Sequence, residues 1–273
     1  STPKPSSAAS DVYKRQTGAA APPGAPMADL LGAGTLDIGA RSIVLGQAPN
    51  TQPDSTAADD RIALGFAEVR LNASEKLSSN GGKGTLAVFQ HQGDYTPGTG
   101  PAREGGNLRI ATPVLTGDAA SSMRIEAGGA IDIAASGAAA TSDALGATLE
   151  LKARRIGVDG NVVLPSGRLV LAATEDIVLG ATSRIDLAGR KVALFDVDKF
   201  SWGGDLVLTS SAGNIVQAAG GTIDISAVNQ RAGTIEAVAL GADAGRIDLA
   251  GELRGAASGR YDAGGTLVPY GAG

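Results

Sequence analysis

The chain has 273 residues, no cysteine, one histidine, 40 glycines, 3% aromatic residues, and 23 basic against 28 acidic side chains. This mildly acidic balance, with no basic cluster longer than Arg154-Arg155 after residue 27, excludes the concentrated basic face needed for phosphate-driven nucleic-acid binding. No run approaches the roughly 18 apolar residues of a membrane helix. Glycine far above the usual level of about 7%, without a Gly-X-Y period, points to a many-turned β protein whose core is Leu, Ile, Val and Ala.

Seven of the 12 prolines fall before residue 54, and proline cannot donate to a β-ladder, so residues 1–27 are expected to be an unstructured leader. Within it Asp11 to Gln16, DVYKRQ, resembles a reading-frame translation of the mosaic-end adapter of transposase-based sequencing libraries. Residues 1–16 are therefore expected to derive from that adapter. A repeat region is expected over 28–262, and 263–273 reads as a truncated tail.

The first strand signal is GTLDIGARSIVLG, where Leu36 and Ile38, then Ile43 and Leu45, alternate with small or polar residues. Gln47 to Asp60 reads as a long loop. Between Ala58 and Leu77 a helix competes with a strand, because Ile62, Phe66 and Val69 also fit one helical face. GTLAVFQ, GNLRIATPVL, SMRIEAGGAIDIAAS and ATLELKARRIGVDGNVVL return to period two. Gly167 to Leu194 is the clearest stretch, with apolar pairs at Leu169/Leu171, Ile177/Leu179, Ile185/Leu187 and Val192/Leu194. Three such strands make a turn of roughly 23 residues, inside the window where repetition implies a solenoid. The pattern recurs at Leu206/Leu208, Ile223/Ile225 and Ile247/Leu249.

Stacking gives this pattern a physical purpose. One coil of three short strands cannot bury its inward Leu and Ile, but coils stacked about 4.8 Å apart bury one another's and pair their backbones. The expected fold is all-β, a parallel β-helix of about ten coils and on the order of 50 Å; a β-sandwich is the alternative, although it would usually carry more aromatics.

Candidate chemistry is sparse. His91 is a lone histidine with no cysteine partners, the profile of a surface residue rather than a triad member or metal ligand. Asp196 and Asp198, two apart, share a strand face but lack the six or more oxygens calcium takes. The phrase I-D-[IL] places Asp132, Asp186, Asp224 and Asp248 between inward aliphatics, so each is expected to point outward. A carboxylate ladder of this kind raises the idea of polysaccharide cleavage. Gly81 to Thr85, GGKGT, lacks the full phosphate-loop pattern. Asn72-Ala73-Ser74 matches a glycosylation sequon. Phe195, Phe200 and Trp202 form the one aromatic cluster, expected to pack as a loop on the rod, with a contact patch as the other reading. No catalytic, cofactor-binding or metal-binding residue is assigned, and no cofactor.

GRLVLAATEDIVLG, SRIDLAG, GGTIDISA and GRIDLAGELRG resemble the repeats of filamentous-haemagglutinin-like exoproteins, the passengers of bacterial two-partner secretion. The resemblance covers roughly residues 28 to 260. It implies a right-handed parallel β-helix that crosses the outer membrane unfolded, through a pore protein that is its partner, and folds at the cell surface. It further implies a secreted, monomeric, non-enzymatic adhesive stalk whose host or bacterial receptor or glycan is unspecified. The alternatives are a polysaccharide-degrading β-helix enzyme and a stalk carrying a toxin or effector domain.

Overall fold

A computed structural model of the chain describes residues 32–47, 59–97, 100–195, 197–241, 245–259 and 266–271. The 1–27 leader, with its adapter-like hexapeptide, lies outside them. The described residues are all-β and mostly parallel. A 13-stranded sheet and an 8-stranded sheet carry the core, and three two-stranded sheets sit beside them.

Two long strands, Gly34–Leu45 and Phe66–Ser79, bend and run through both arms of the 13-stranded sheet. Their first halves begin the first arm, which continues through Asn107–Thr112, Ala130–Ala135, Arg155–Asp159, Ile177–Leu179, Ile215–Gln217 and Ile247–Leu249. Their second halves begin the second arm, continued by Leu115–Gly117, Asn161–Val163, Arg184–Asp186, Thr222–Asp224 and Glu252–Arg254. The 8-stranded sheet runs from Asp59–Leu64 through Gly84–Phe89, Ser122–Ala127, Thr148–Ala153, Arg168–Ala173, Asp205–Ser210 and Thr234–Ala239 to Thr266–Gly271. The chain visits first arm, second arm and third sheet in rotation, with one second-arm visit missing, and each strand pairs in parallel with the preceding and following strands of its own wall. This strand order is consistent with a solenoid and departs from the hairpin-linked antiparallel strands of a sandwich.

Register explains why the sequence alternates. On the first arm Leu36, Val69, Leu108, Ile131, Ile156, Ile177, Ile215 and Ile247 stand in one column. On the third sheet Leu86, Ile125, Leu151, Leu171, Leu208 and Ala237 form another, none more than 4% exposed. Burying a Leu or Ile this completely is worth about 1.5–3 kcal/mol relative to leaving it exposed, so each circuit depends on its neighbours for most of its stability. Corners are built from small residues. Gly167, Gly204 and Gly233 precede successive third-sheet strands so closely that a Cβ on Gly204 would stand 2.2 Å from the Gly167 carbonyl oxygen.

One open choice is decided and three expectations change. Residues 59–77 are strands, not helix: Val69, Leu71 and Ala73 are 2% exposed at period two, while Ile62 of the would-be helical face is 43% exposed. Among the described residues the third sheet has eight strands, which corresponds to eight rounds of this strand order rather than ten, because excursions at the corners absorb the remaining chain. Val192/Leu194 belongs to one such excursion, the antiparallel hairpin Lys191–Leu194 with Val197–Phe200, and not to a wall of the stack. Inside 263–273 the strand Thr266–Gly271 pairs in parallel with Thr234–Ala239.

Candidate functional site

The second arm is interrupted once. After Ala130–Ala135 the chain makes no second-arm strand but runs through 136–147 directly to Thr148–Ala153, and Leu115 pairs with Val162 across the missing position. The excursion is pinned by Asn161, whose Nδ2 donates to the carbonyl of Ala140 at 2.6 Å and that of Pro113 at 3.3 Å. Ala139, Ala140 and Thr141 thereby form one side of a groove of about 460 Å³ whose other lining residues include Arg184, Asp186, Thr222, Asp224 and Arg254.

Register places Asp186 directly beside Asp224, at the strand spacing of about 4.8 Å. The other two aspartates of the repeated phrase are elsewhere. Asp132 and Asp248 stand in one outward column of the first arm, separated by Gly157, Val178 and Val216. The four aspartates are therefore one adjacent pair and two distant residues, not the continuous ladder that the polysaccharide-cleaving alternative calls for.

Both carboxylates of the pair are engaged locally. Asp186 Oδ1 accepts from the Ala188 amide at 3.1 Å and from Arg190 Nη1 at 3.2 Å, and its Oδ2 from Arg190 Nη2 at 2.6 Å. Asp224 Oδ1 accepts from the Ser226 amide and hydroxyl at 2.9 and 2.6 Å, and its Oδ2 lies 3.9 Å from Arg254 Nη1. Arg190 also reaches Asp143 at 3.7 Å, joining the 136–147 excursion to the base of the 191–200 hairpin. At the groove's end Arg254 forms a double hydrogen bond to Glu252, which holds the Glu252 carboxyl below and the Arg254 guanidinium above their ordinary ranges. Arg184 donates to Thr222 Oγ1 at 3.1 Å. The trough is charge-balanced and open, with Ala139, Ala140, Val163 and Ile185 between its charged residues.

No family model, curated protein or solved structure matches the chain. What it can do is therefore read from its own residues.

The remaining candidates disperse. His91 is a correction: it is 9% exposed rather than a surface residue, and its Nε2 has no partner. Period two continues past Phe89, 4% exposed, and carries His91 inward at the start of the hairpin His91–Thr96 with Gly100–Glu104. Asp196 lies outside the described residues, and Asp198 pairs with Lys191 at 2.7 Å. Gly81, at φ 80°, turns the chain into the strand Gly84–Phe89 rather than into a phosphate-cradling helix. Asn72 lies on a strand and donates to Asp37 at 2.7 Å. The aromatic cluster does not pack down on the stack as expected: Phe195 is 106% and Trp202 51% exposed.

Sequence reasoning overlooked Arg190, Asp143 and Arg254. Arg190 stands four residues after Asp186 and was legible as its partner. Asp143, 47 positions away, was not.

Proposed function

We propose that the chain is a structural and adhesive segment of a secreted bacterial surface exoprotein of the filamentous-haemagglutinin kind. In this reading it is a right-handed parallel β-helical stalk whose eight circuits span roughly 35 Å at the usual strand spacing. The observation that supports it is the register that carries inward aliphatic columns along the first arm and the third sheet, as a stiff, quasi-one-dimensional body would have. Contacts then fall to the corner excursions, the 136–147 loop and the 191–200 hairpin. Absence of cysteine suits passage in the unfolded state through an outer-membrane pore partner, followed by folding as a monomer at the cell surface.

The test couples the full chain to beads and counts those retained on host-cell monolayers, with sedimentation velocity on the same protein. Retention above beads carrying an unrelated β-rich protein, together with an elongated monomer, is expected. Equal retention or a compact globular radius overturns the reading.

One observation favours a second reading, a polysaccharide-cleaving enzyme: Asp186 and Asp224 are register partners on neighbouring strands, whose backbone spacing of about 4.8 Å is close to the about 5–5.5 Å between the carboxyl groups of retaining glycosidases. Against it, three of the four carboxylate oxygens already accept local hydrogen bonds. Release of reducing sugar from a glycan panel, abolished by Asp186→Asn or Asp224→Asn, would establish it; a panel without release removes it.

A further inference from the structure

The hairpin Lys191–Leu194 with Val197–Phe200 bonds to no other sheet. Its register sets Leu194 opposite Val197, so Phe195 stands in the reversal of the chain. Phe195 has φ 54°, the left-handed conformation that tight hairpin turns require and that Asn, Asp or Gly normally supply. The other non-glycine residues with positive φ are Ala120, Ser166 and Asn229, all small or polar. Phe195 combines an unfavourable backbone conformation with complete exposure of an apolar ring, and conformational outliers of this kind cluster where function uses them.

Phe195 has company. Val197 is 46% and Trp202 51% exposed, so three of the eight exposed large hydrophobics among the described residues lie within eight positions. Trp202 is the sole tryptophan.

Area decides the partner. One aromatic side chain offers about 150–250 Å², so Phe195 with half-exposed Val197 gives the tip roughly 200–300 Å², well below the about 800 Å² per side of a stable protein interface; Trp202 lies behind it, past the hairpin's base, where its carbonyl accepts from Ser166 Oγ at 2.7 Å. A lipid interface needs no shape complementarity, only an apolar wedge above a polar belt. Such a belt lies behind the tip: Lys191 pairs with Asp198 at 2.7 Å, and Arg190 with Asp186 at 2.6 Å. Across positions 186–200 the sequence sets Arg190, Lys191 and Lys199 against Asp186, Asp196 and Asp198, a balanced charge that matches zwitterionic headgroups better than an anionic surface. Four-residue strands extend about 13 Å, enough to carry a ring the about 5–10 Å into the headgroup boundary.

We propose that the hairpin tip inserts Phe195 into the interfacial layer of a zwitterionic lipid bilayer, with Val197 and Trp202 at the headgroup level. The inference rests on the adhesive reading and names the chemistry of what is bound.

The test mixes the full chain with phosphatidylcholine vesicles and follows flotation and Trp202 emission. Partitioning with a blue shift is expected, and Phe195→Ser, with unchanged far-UV circular dichroism, weakens partitioning by about tenfold or more. Three results overturn the proposal: no partitioning, partitioning equal in the variant, or partitioning only onto phosphatidylserine vesicles that salt abolishes. Loss of cell attachment in Phe195→Ser without vesicle binding would assign the tip to a protein pocket, overturning the lipid proposal and leaving the adhesive reading intact. Vesicle binding without retention on cells overturns the adhesive reading alone.

Discussion

Gln217 occupies a core position that the repeat otherwise fills with an aliphatic. In its first-arm column the neighbours are Leu179 and Leu249, and it is 1% exposed. Its Nε2 donates to the Gly221 carbonyl at 3.1 Å, while Oε1 has no partner among the described residues. An unsatisfied buried acceptor costs about 1–3 kcal/mol and the bond made returns about 0.5–1.5 kcal/mol. Gln217→Leu removes both and extends the aliphatic column, while the Gly221 carbonyl keeps the Glu252 amide at 2.8 Å. The expected net is stabilisation by about 1 kcal/mol. Because stacked repeats respond locally and need not unfold in one step, a global midpoint understates the change. Amide exchange in Ile215–Gln217 and Ile247–Leu249 is the better assay, with slowing of about fivefold expected. Faster exchange would refute the reasoning. Gln217→Met then locates the error, since an unbranched side chain keeps the shape that fits beside Gly251. If Met also destabilises, Oε1 has a partner, such as an ordered water.

Leu171→Ala, at 0% exposure in the middle of a third-sheet column, should cost about 2–5 kcal/mol in urea unfolding; a loss under about 1 kcal/mol would mean the interior collapses around the void. Gly204→Ala puts a Cβ 2.2 Å from the Gly167 carbonyl oxygen and 2.8 Å from its nitrogen, backbone that no rotamer change can move. It should lower stability by about 1–3 kcal/mol, and an unchanged thermal midpoint would count against the corner geometry. The Glu252 carboxyl is depressed by its hydrogen bonds from Arg254. Its stabilising contribution is therefore present above the unfolded carboxylate pKa and lost as pH falls through the lower folded value. Arg254→Met should move the Glu252 titration midpoint, read by NMR, upward; an unmoved midpoint rejects the pair.

Period two was a dependable guide because the interior presents only two or three inward positions per strand. Leu169/Leu171, Ile177/Leu179 and Ile185/Leu187, all at most 1% exposed, could be read directly. Counting circuits failed for an equally physical reason. Register steps from Leu108 to Ile131, Ile131 to Ile156 and Ile156 to Ile177 are 23, 25 and 21 residues, but Ile177 to Ile215 takes 38. The extra length holds the 191–200 hairpin, whose Val192 and Leu194 alternate as a wall strand would. Alternation reports that a segment is extended; it does not report whether a neighbouring circuit receives it. The same gap hid the second-arm interruption at 136–147, which removes a strand without changing the pattern on either side.

The repeated aspartate shows how far a phrase can carry meaning. I-D-[IL] settles parity, since an Asp flanked by Ile131 and Ile133, Ile185 and Leu187, or Ile223 and Ile225 must face outward when those aliphatics are buried. It cannot settle the wall, which depends on the chain length between occurrences. On the second arm the phrase ends a strand at a corner, and Asp186 and Asp224 each accept the amide two residues on, from Ala188 and Ser226. That local turn competes with a regular strand and bends the chain toward the third sheet, while the bonding between circuits continues beyond it, the Leu187 and Gly189 amides donating to the Asp224 and Ser226 carbonyls at 2.8 Å. On the first arm Asp248 instead pairs with Arg246 on its own strand. One motif thus serves as a corner in one place and as surface charge in another. The adjacency of Asp186 and Asp224 that invites a catalytic reading follows from two corners stacked in register.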